Sequence, residues 1–180
     1  MPIFKHKFRN HKVNSKTKIL ILGTYNPDIP EGPTFFYGRP RNFLWQLLPG
    51  CYGIPSLKKS SLIEKQNFMA QYKIDFTDLI ETVNIPTDKG DNYLDTYIDR
   101  RVENWKDVIA LINKLSNLKE VYFTRKTFAG IPNIYNQILK ISNHCNTKGI
   151  RFCMLISPAR YANSVKQNLW INTIINQSIC

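Results

Sequence analysis

The chain has 180 residues, with 25 basic and 13 acidic side chains and a formal net charge of +12. A chain of this length suits one domain that buries roughly 70% of its unfolded surface. Its hydrophobic fraction of 43% is ordinary for a globular protein and excludes a disordered or collagen-like chain. No apolar run reaches the roughly 18 residues of a membrane span. We therefore expect one soluble, cytoplasmic, monomeric domain over residues 1–180 with no membrane partner.

The cysteines and the first residues bear on the compartment. The chain has 4 cysteines, with no C-x-x-C pair and no histidine at zinc-finger spacing. This pattern predicts reduced thiols and no metal site. Residues 1–17 are basic and lack the apolar segment of a secretory signal, so they are expected to form a basic N-terminal arm.

The charge points to a polyanionic partner. Neutralising phosphates releases counterions, so nucleic acid is the natural candidate. The alternative is a lysine-rich composition inherited from an AT-biased genome, which the abundant Asn and Ile also fit.

The predicted elements alternate along the chain. The apolar run 18–23 predicts a buried strand that Gly23 ends, and residues 24–41, with four prolines and two glycines, predict a long functional loop. The later elements are helices over 42–48 and 60–72, a strand over 73–76, irregular chain over 82–95, an amphipathic helix over 101–115, a strand over 121–123, a helix over 127–142, a strand over 151–156 and a helix over 162–178.

This order predicts a three-layer α/β/α fold around a short, mainly parallel four-stranded sheet. Ligands bind such sheets at the carboxyl ends of the strands. Two segments are expected there, residues 23–45 after the first strand and residues 157–161 after the last.

The first of these segments suits a flat base flanked by phosphates. It lacks both the nucleotide P-loop and the dinucleotide-binding glycine pattern. It carries an amide at Asn26, three adjacent aromatic residues at 35–37, and Arg39 and Arg41 around a proline. The alternative is that Phe36 and its aromatic neighbours belong to the core and that Asn26 is a turn residue.

Taken together, these motifs resemble the uracil-DNA glycosylase superfamily. The resemblance rests on Leu-Gly-Thr-x-Asn-Pro from residue 22, on the aromatic-aromatic-Gly-x-Pro-Arg-Asn-x-x-Trp stretch ending at Trp45, and on Ser-Pro-Ala from Ser157. It spans roughly residues 5 to 170 and is closest to the hypoxanthine-DNA glycosylase and mismatch-specific uracil-DNA glycosylase branches. Tyr25 adds one residue before Asn-Pro, and Arg160 and Tyr161 follow where the hypoxanthine branch has Asn.

The resemblance implies a role for each matched residue. Asn26 and Asn42 fall on catalytic asparagines of the two branches. The residues expected around the base are Gly23, Thr24, Tyr25, Phe36 and Tyr37. Those expected on DNA are Arg39, Arg41, Arg125, Ser157, Pro158, Ala159, Arg160 and Tyr161. Lys126 and Lys166 are further candidates, although Lys166 is better interpreted as part of a solvated basic surface.

The chemistry requires no cofactor and no metal. Hydrolysis of an N-glycosidic bond needs donors at the departing base and a positioned water. Asn can orient water but is not a true base; Asp28 and Asp75 are the nearby carboxylates, and Asp28 is better explained as a turn residue. Of the histidines, His144 is expected to be structural, and His6 could pack against the site loop.

The expected function is a monofunctional DNA glycosylase of base excision repair, whose partner is DNA with a damaged or mismatched base. It would flip a deaminated base, uracil or hypoxanthine, and hydrolyse its glycosidic bond. Two alternatives stay open: a non-catalytic nucleic-acid-binding protein of the same fold, and an enzyme acting on free nucleosides.

Overall fold

The computed structural model describes residues 2–86, 93–178 and 180. Its strands are β1 (Ile3–Lys5), β2 (Ile19–Gly23), β3 (Ile74–Asp78), β4 (Ile80–Asn84), β5 (Val102–Trp105), β6 (Glu120–Phe123) and β7 (Arg151–Met154). Its helices are α1 (Leu44–Cys51), α2 (Leu62–Tyr72), α3 (Asp95–Ile98), α4 (Val108–Lys114), α5 (Pro132–Thr147) and α6 (Ser164–Ile174), and a 3₁₀ turn (Asp99–Arg101) follows α3.

The central sheet is parallel, with strand order β3-β2-β6-β7. Every residue of β2 and β3 is buried, which explains the uninterrupted apolar run of β2. Alternate residues of β2 serve two separate cores. Ile19 and Ile21 face Trp45 and Trp170, from α1 and α6, whereas Leu20 and Leu22 face the other core, formed with α4 and α5. The three-layer α/β architecture with a four-stranded parallel sheet is therefore confirmed.

A second, antiparallel sheet with order β1-β4-β5 was not predicted. The helix expected over 101–115 is wrong in its first half, because residues 102–105 form β5, where Trp105 pairs with Ile80. The helix starts only after Asp107, whose side chain accepts a hydrogen bond from the Ala110 backbone N–H at 2.9 Å. The irregular stretch expected over 82–95 begins inside β4, and residues 87–92 lie outside the described residues.

The basic arm packs against β3, the edge strand of the parallel sheet. His6 Nε2 lies 2.6 Å from Asp78 Oδ2, at the carboxyl end of β3. His11 Nε2 lies 2.7 Å from Asp75 Oδ1, near its amino end, and the other Asp75 oxygen accepts from the Asn14 N–H at 2.8 Å. Two His–Asp pairs thus fasten the arm, which shields a sheet edge that would otherwise be open to pairing.

The thiol prediction is wrong for one pair of cysteines. Cys153 of β7 and Cys180 are joined in a disulfide, while Cys51 and Cys145 are free and buried. No helix within the described residues has the length and apolar character needed to cross a membrane. The described part of the chain also holds no cluster of three or more His, Cys, Asp or Glu side chains suited to a metal.

Candidate functional site

The candidate site lies where β2, β3 and β6 end side by side. Gly23, the last residue of β2, is paired in register with Asp78, the last residue of β3. Thr124 directly follows β6, and its Oγ1 donates to the carbonyl of Leu22 at 3.3 Å. The parallel topology therefore brings residues from three distant parts of the sequence to one edge.

Asp78 is the centre of a buried polar network. Its side chain is 2% exposed, and His6, which pairs with it, is completely buried. Asn26 Nδ2 donates to the same oxygen, Oδ2, at 2.6 Å. Phe8 N–H and Lys106 Nζ lie 3.1 and 3.2 Å from His6 Nδ1. The N-terminal arm and the loop after β2 thus meet directly at one carboxylate, and Lys106 is linked to it through His6.

Gly23 allows this network to form. A Cβ at this position would overlap Asp78 Oδ1 and would lie 3.0 Å from Tyr37 Oη. Tyr37 itself has a left-handed backbone, with φ of 56°, and its Oη lies 3.2 Å from Thr124 Oγ1. Burial, and secondarily the charge of Asp78, raise the pKa of Tyr37 well above its usual range, so its hydroxyl stays protonated at neutral pH.

A second polar group lies beside this network. Asp95, at the start of α3, pairs with Arg125 and accepts a hydrogen bond from Thr24 Oγ1 at 3.4 Å. Burial raises the pKa of Asp95, and the Arg125 charge opposes that rise. Arg125 is therefore engaged with Asp95, with 27% of its side chain exposed.

The early and late loops, whose bridged residues Asn42 and Ala159 are 117 positions apart in the sequence, are joined by their backbones. Asn42 and Ala159 form an antiparallel bridge. Phe43 N–H donates to the Pro158 carbonyl at 2.9 Å, and Arg160 N–H donates to the Arg41 carbonyl at 2.8 Å. The two segments expected at the carboxyl edge therefore lie against each other.

The two candidate asparagines belong to different networks. Asn42 Oδ1 accepts from the Leu44 N–H at 3.0 Å, so this side chain closes a turn immediately before α1. Among the described residues, no hydrogen bond joins Asn42 to Asn26. The Asn42 backbone links the loops, whereas the Asn26 side chain belongs to the Asp78 network.

The aromatic residues divide between core and rim. Phe36 is 1% exposed and packs against Phe8 and Phe76, at ring distances of 4.6 and 5.9 Å. A base could stack on Phe36 only after this part of the core had opened, so the structure agrees with the alternative that Phe36 is a core residue. Tyr25 is half-buried, and its Oη donates to the Phe4 carbonyl at 2.9 Å.

Lys166 is not part of a solvated surface, contrary to expectation. It is 3% exposed, and its Nζ donates to the carbonyls of Ser157, Ala159 and Tyr161 at 3.0, 3.1 and 2.9 Å. Burial lowers the pKa of this ammonium group. Arg160 has a left-handed backbone, with φ of 76°, and lies exposed at the tip of the loop. Lys166 thus holds the loop from inside.

The Asp78 network escaped the sequence analysis. His6 was expected only to pack against the site loop, because its bond to Asp78, 72 positions away, leaves no local pattern. Asp78 could have been found, because a carboxylate that ends a buried strand of a parallel sheet lies at the ligand-binding edge. The strand was expected to end at Phe76, which concealed that signal.

Exposed cations surround the joined loops. Arg39, Arg41 and Arg160 are exposed, as is Lys126 after β6.

Two surface cavities are also present. One of about 600 Å³ is lined by Thr96, Tyr97, Arg100, Arg101 and Gly130. The other, of about 410 Å³, is lined by residues from His11 to Thr17 and from Gln66 to Asp75. Neither is lined by Asn26, Asn42 or Tyr37.

Comparison with known proteins gives a structural relative. No protein-family model matches the chain, and no curated protein matches it. A solution NMR structure of a protein from Methanosarcina acetivorans, described as a candidate uracil DNA glycosylase, superposes with a TM-score of 0.60 at 18% identity. The match covers 88% of this chain and 89% of that protein. The chain therefore shares the uracil-DNA glycosylase-like fold of this neighbour.

Proposed function

We propose that the protein is a monofunctional DNA glycosylase of base excision repair that removes uracil or hypoxanthine from DNA. The observation that carries the proposal is the joining of the Arg41–Phe43 segment to the Pro158–Arg160 segment. The joined segments lie at the same edge of the parallel sheet as Asn26 and the Asp78 network. The fold shared with a candidate uracil DNA glycosylase adds support.

The proposed reaction is a hydrolysis. Water forms a bond to C1′ of the nucleotide, the bond between C1′ and the base nitrogen breaks with its electron pair leaving on the base, and the water gives up one proton to solvent while the base gains one. Asn26 holds the attacking water, and Tyr37, which stays protonated, donates toward the negative charge that grows on the departing base. None of these steps uses a metal or an organic cofactor.

DNA binding would use the basic rim. Extruding a base costs a few kcal/mol, least for a mispaired or deaminated one. Phosphate contacts from Arg39, Arg41 and Arg160 would offset that cost, and Tyr161, which is 52% exposed, would replace the extruded base in the stack. Binding should then weaken steeply as salt rises.

The test is base release from defined oligonucleotides. Duplex and single-stranded DNA with one uracil or one hypoxanthine is incubated with the protein, and abasic sites are cleaved with alkali. Cleavage of either lesion is expected, and Asn26→Ala should lower the single-turnover rate by about a hundredfold. The matched control is Asn168→Ala, which removes an exposed amide on α6 and should keep the wild-type rate. Intact DNA in every case would refute the proposal.

One observation favours a second candidate, a DNA-binding protein without base-releasing activity. Both candidate carboxamides already bond within the protein, Asn26 to Asp78 and Asn42 to the Leu44 N–H. Salt-dependent binding to a lesion duplex without any base release would favour this alternative. Activity on free nucleosides that does not fall with salt would instead indicate a nucleoside hydrolase.

A further inference from the structure

We propose that Asp78 and His6 are positioning residues that fix the rotamer and amide orientation of Asn26, turning its carbonyl oxygen outward to hold the attacking water. This inference rests on the proposed glycosylase activity and adds to it two residues that do not contact the substrate. Three features of the structure support it: the donors around His6, the sharing of one Asp78 oxygen, and the anchoring of the Asn26 backbone.

The first feature is the tautomer of His6, which the donors around Nδ1 determine. The Phe8 backbone N–H can only donate, and it lies 3.1 Å from Nδ1. Lys106 Nζ lies 3.2 Å from the same nitrogen. Since Nδ1 accepts, the proton of the neutral ring is on Nε2, which lies 2.6 Å from Asp78 Oδ2. His6, which is completely buried, therefore donates to Asp78.

The second step is the orientation of the Asn26 amide. Asp78 Oδ2 accepts from His6 and also lies 2.6 Å from the Asn26 carboxamide. An oxygen in this position attracts an N–H and repels a carbonyl, so the NH₂ group faces Asp78. The Asn26 carbonyl oxygen then points the other way, and no described residue donates a hydrogen bond to it. A half-buried carbonyl without a protein donor is an acceptor for water.

The third step is the anchoring of the Asn26 backbone by the same N-terminal arm. The Lys7 N–H donates to the backbone carbonyl of Asn26 at 2.8 Å, and His6 forms an isolated β-bridge with Pro27. The Asp28 N–H donates to the Lys5 carbonyl at 2.9 Å. The arm therefore holds both the backbone and the side chain of Asn26, which limits its freedom in the way that a preorganised site requires.

Charged and polar groups from neighbouring elements also face the Asp78 network. Lys106, besides its contact with His6, lies 4.0 Å from Glu81. The hydroxyl of Tyr37 approaches from the Gly23 side. The network thus carries one central carboxylate, and a second negative charge at position 26 would lie beside it without a cation in direct contact.

The experiment exchanges the two groups that touch. Asn26→Asp places two carboxylates in contact, so we expect the single-turnover rate of base release to fall roughly ten- to a hundredfold. The double variant Asn26→Asp/Asp78→Asn restores one carboxylate and one amide, and it should recover at least about tenfold of that loss. If the double variant is as slow as, or slower than, Asn26→Asp while both remain folded, the inference is wrong.

A matched control separates positioning from general stability. His6→Gln and His11→Gln each remove one of the two His–Asp pairs that fasten the arm. Both should lower the melting temperature, but only His6→Gln should slow base release, by roughly tenfold or more at saturating DNA. Equal rate losses in the two variants would show that His6 acts through stability alone.

A third measurement does not depend on activity. In nitrogen-15 NMR spectra, the side-chain amide of Asn26, assigned by its loss in Asn26→Asp, should show one proton protected from exchange in the wild type and in His11→Gln. This protection should disappear in Asp78→Ala. An unprotected Asn26 amide in the wild type overturns the inference, whether or not the protein releases bases. Absence of base release together with a protected amide refutes the proposed activity alone.

Discussion

Replacing Lys166 by methionine tests whether this residue holds the late loop or reaches DNA. Methionine keeps most of the apolar stem but removes the ammonium that bonds three carbonyls between Ser157 and Tyr161. Since Lys166 is 3% exposed, the change leaves acceptors without their donor.

The expected cost follows from which carbonyls water can reach. Ala159 and Tyr161 are exposed residues, so water can hydrate their carbonyls when the ammonium is removed. The carbonyl of the half-buried Ser157 has less access to water, and one buried acceptor without a partner costs about 1–3 kcal/mol. We therefore expect Lys166→Met to lower the free energy of unfolding by about 1–3 kcal/mol.

Urea denaturation measures this change, and Lys126→Met is the matched control. Lys126 is exposed beside Arg125, so its replacement should change the free energy of unfolding by less than about 0.5 kcal/mol. If Lys126 contacts a phosphate, its loss should reduce the salt dependence of DNA binding by about one unit of slope. Wild-type stability of Lys166→Met, together with that reduced slope, would show that Lys166 reaches DNA and does not hold the loop.

Two further predictions concern the strand ends. Gly23→Ala should displace Asp78 from its two partners and lower the free energy of unfolding by about 2–4 kcal/mol, with loss of most of the activity. In the control variant Gly53→Ala, the added carbon meets open space but φ is +69°, so the change should cost about 1 kcal/mol and leave activity unchanged. Similar losses in both variants would show that the overlap with Asp78 is not the cause. The second prediction concerns pH: burial raises the pKa of Tyr37, so above about pH 10 the phenol ionises in the unfolded chain before it does in the folded protein, and stability falls as pH rises. Tyr37→Phe should reduce this fall between pH 8 and pH 10.5 in urea denaturation, and an unchanged pH dependence would show that another group causes it.

The sequence by itself determined the central sheet. The run of β2 is apolar up to Gly23 because both faces of the sheet are covered. Such a run can be recognised in the sequence even when the neighbouring strands are unknown. Alternation of strands and helices then implied parallel crossovers. The same rule brought the segments after β2 and β7 to one edge, where the structure joins them through Asn42 and Ala159.

The second sheet could not be predicted in the same way. Val102 and Trp105 have a spacing that also fits a helix face, and the strand forms only because β4 offers a partner to pair with. A three-residue strand such as β1 has too few residues to show any period. Pairing across the sheet, rather than local propensity, decided these elements.

The chemistry of the candidate site was likewise decided by tertiary structure. Asn26 was visible as a turn amide, but its orientation depends on Asp78 and His6, which come from β3 and from the arm. Lys166 resembles any surface lysine until α6 places it beneath the Ser157–Tyr161 carbonyls. Apolar patterning is local and periodic, so the sequence displays it; a hydrogen bond between distant residues depends on distances that only the folded chain creates.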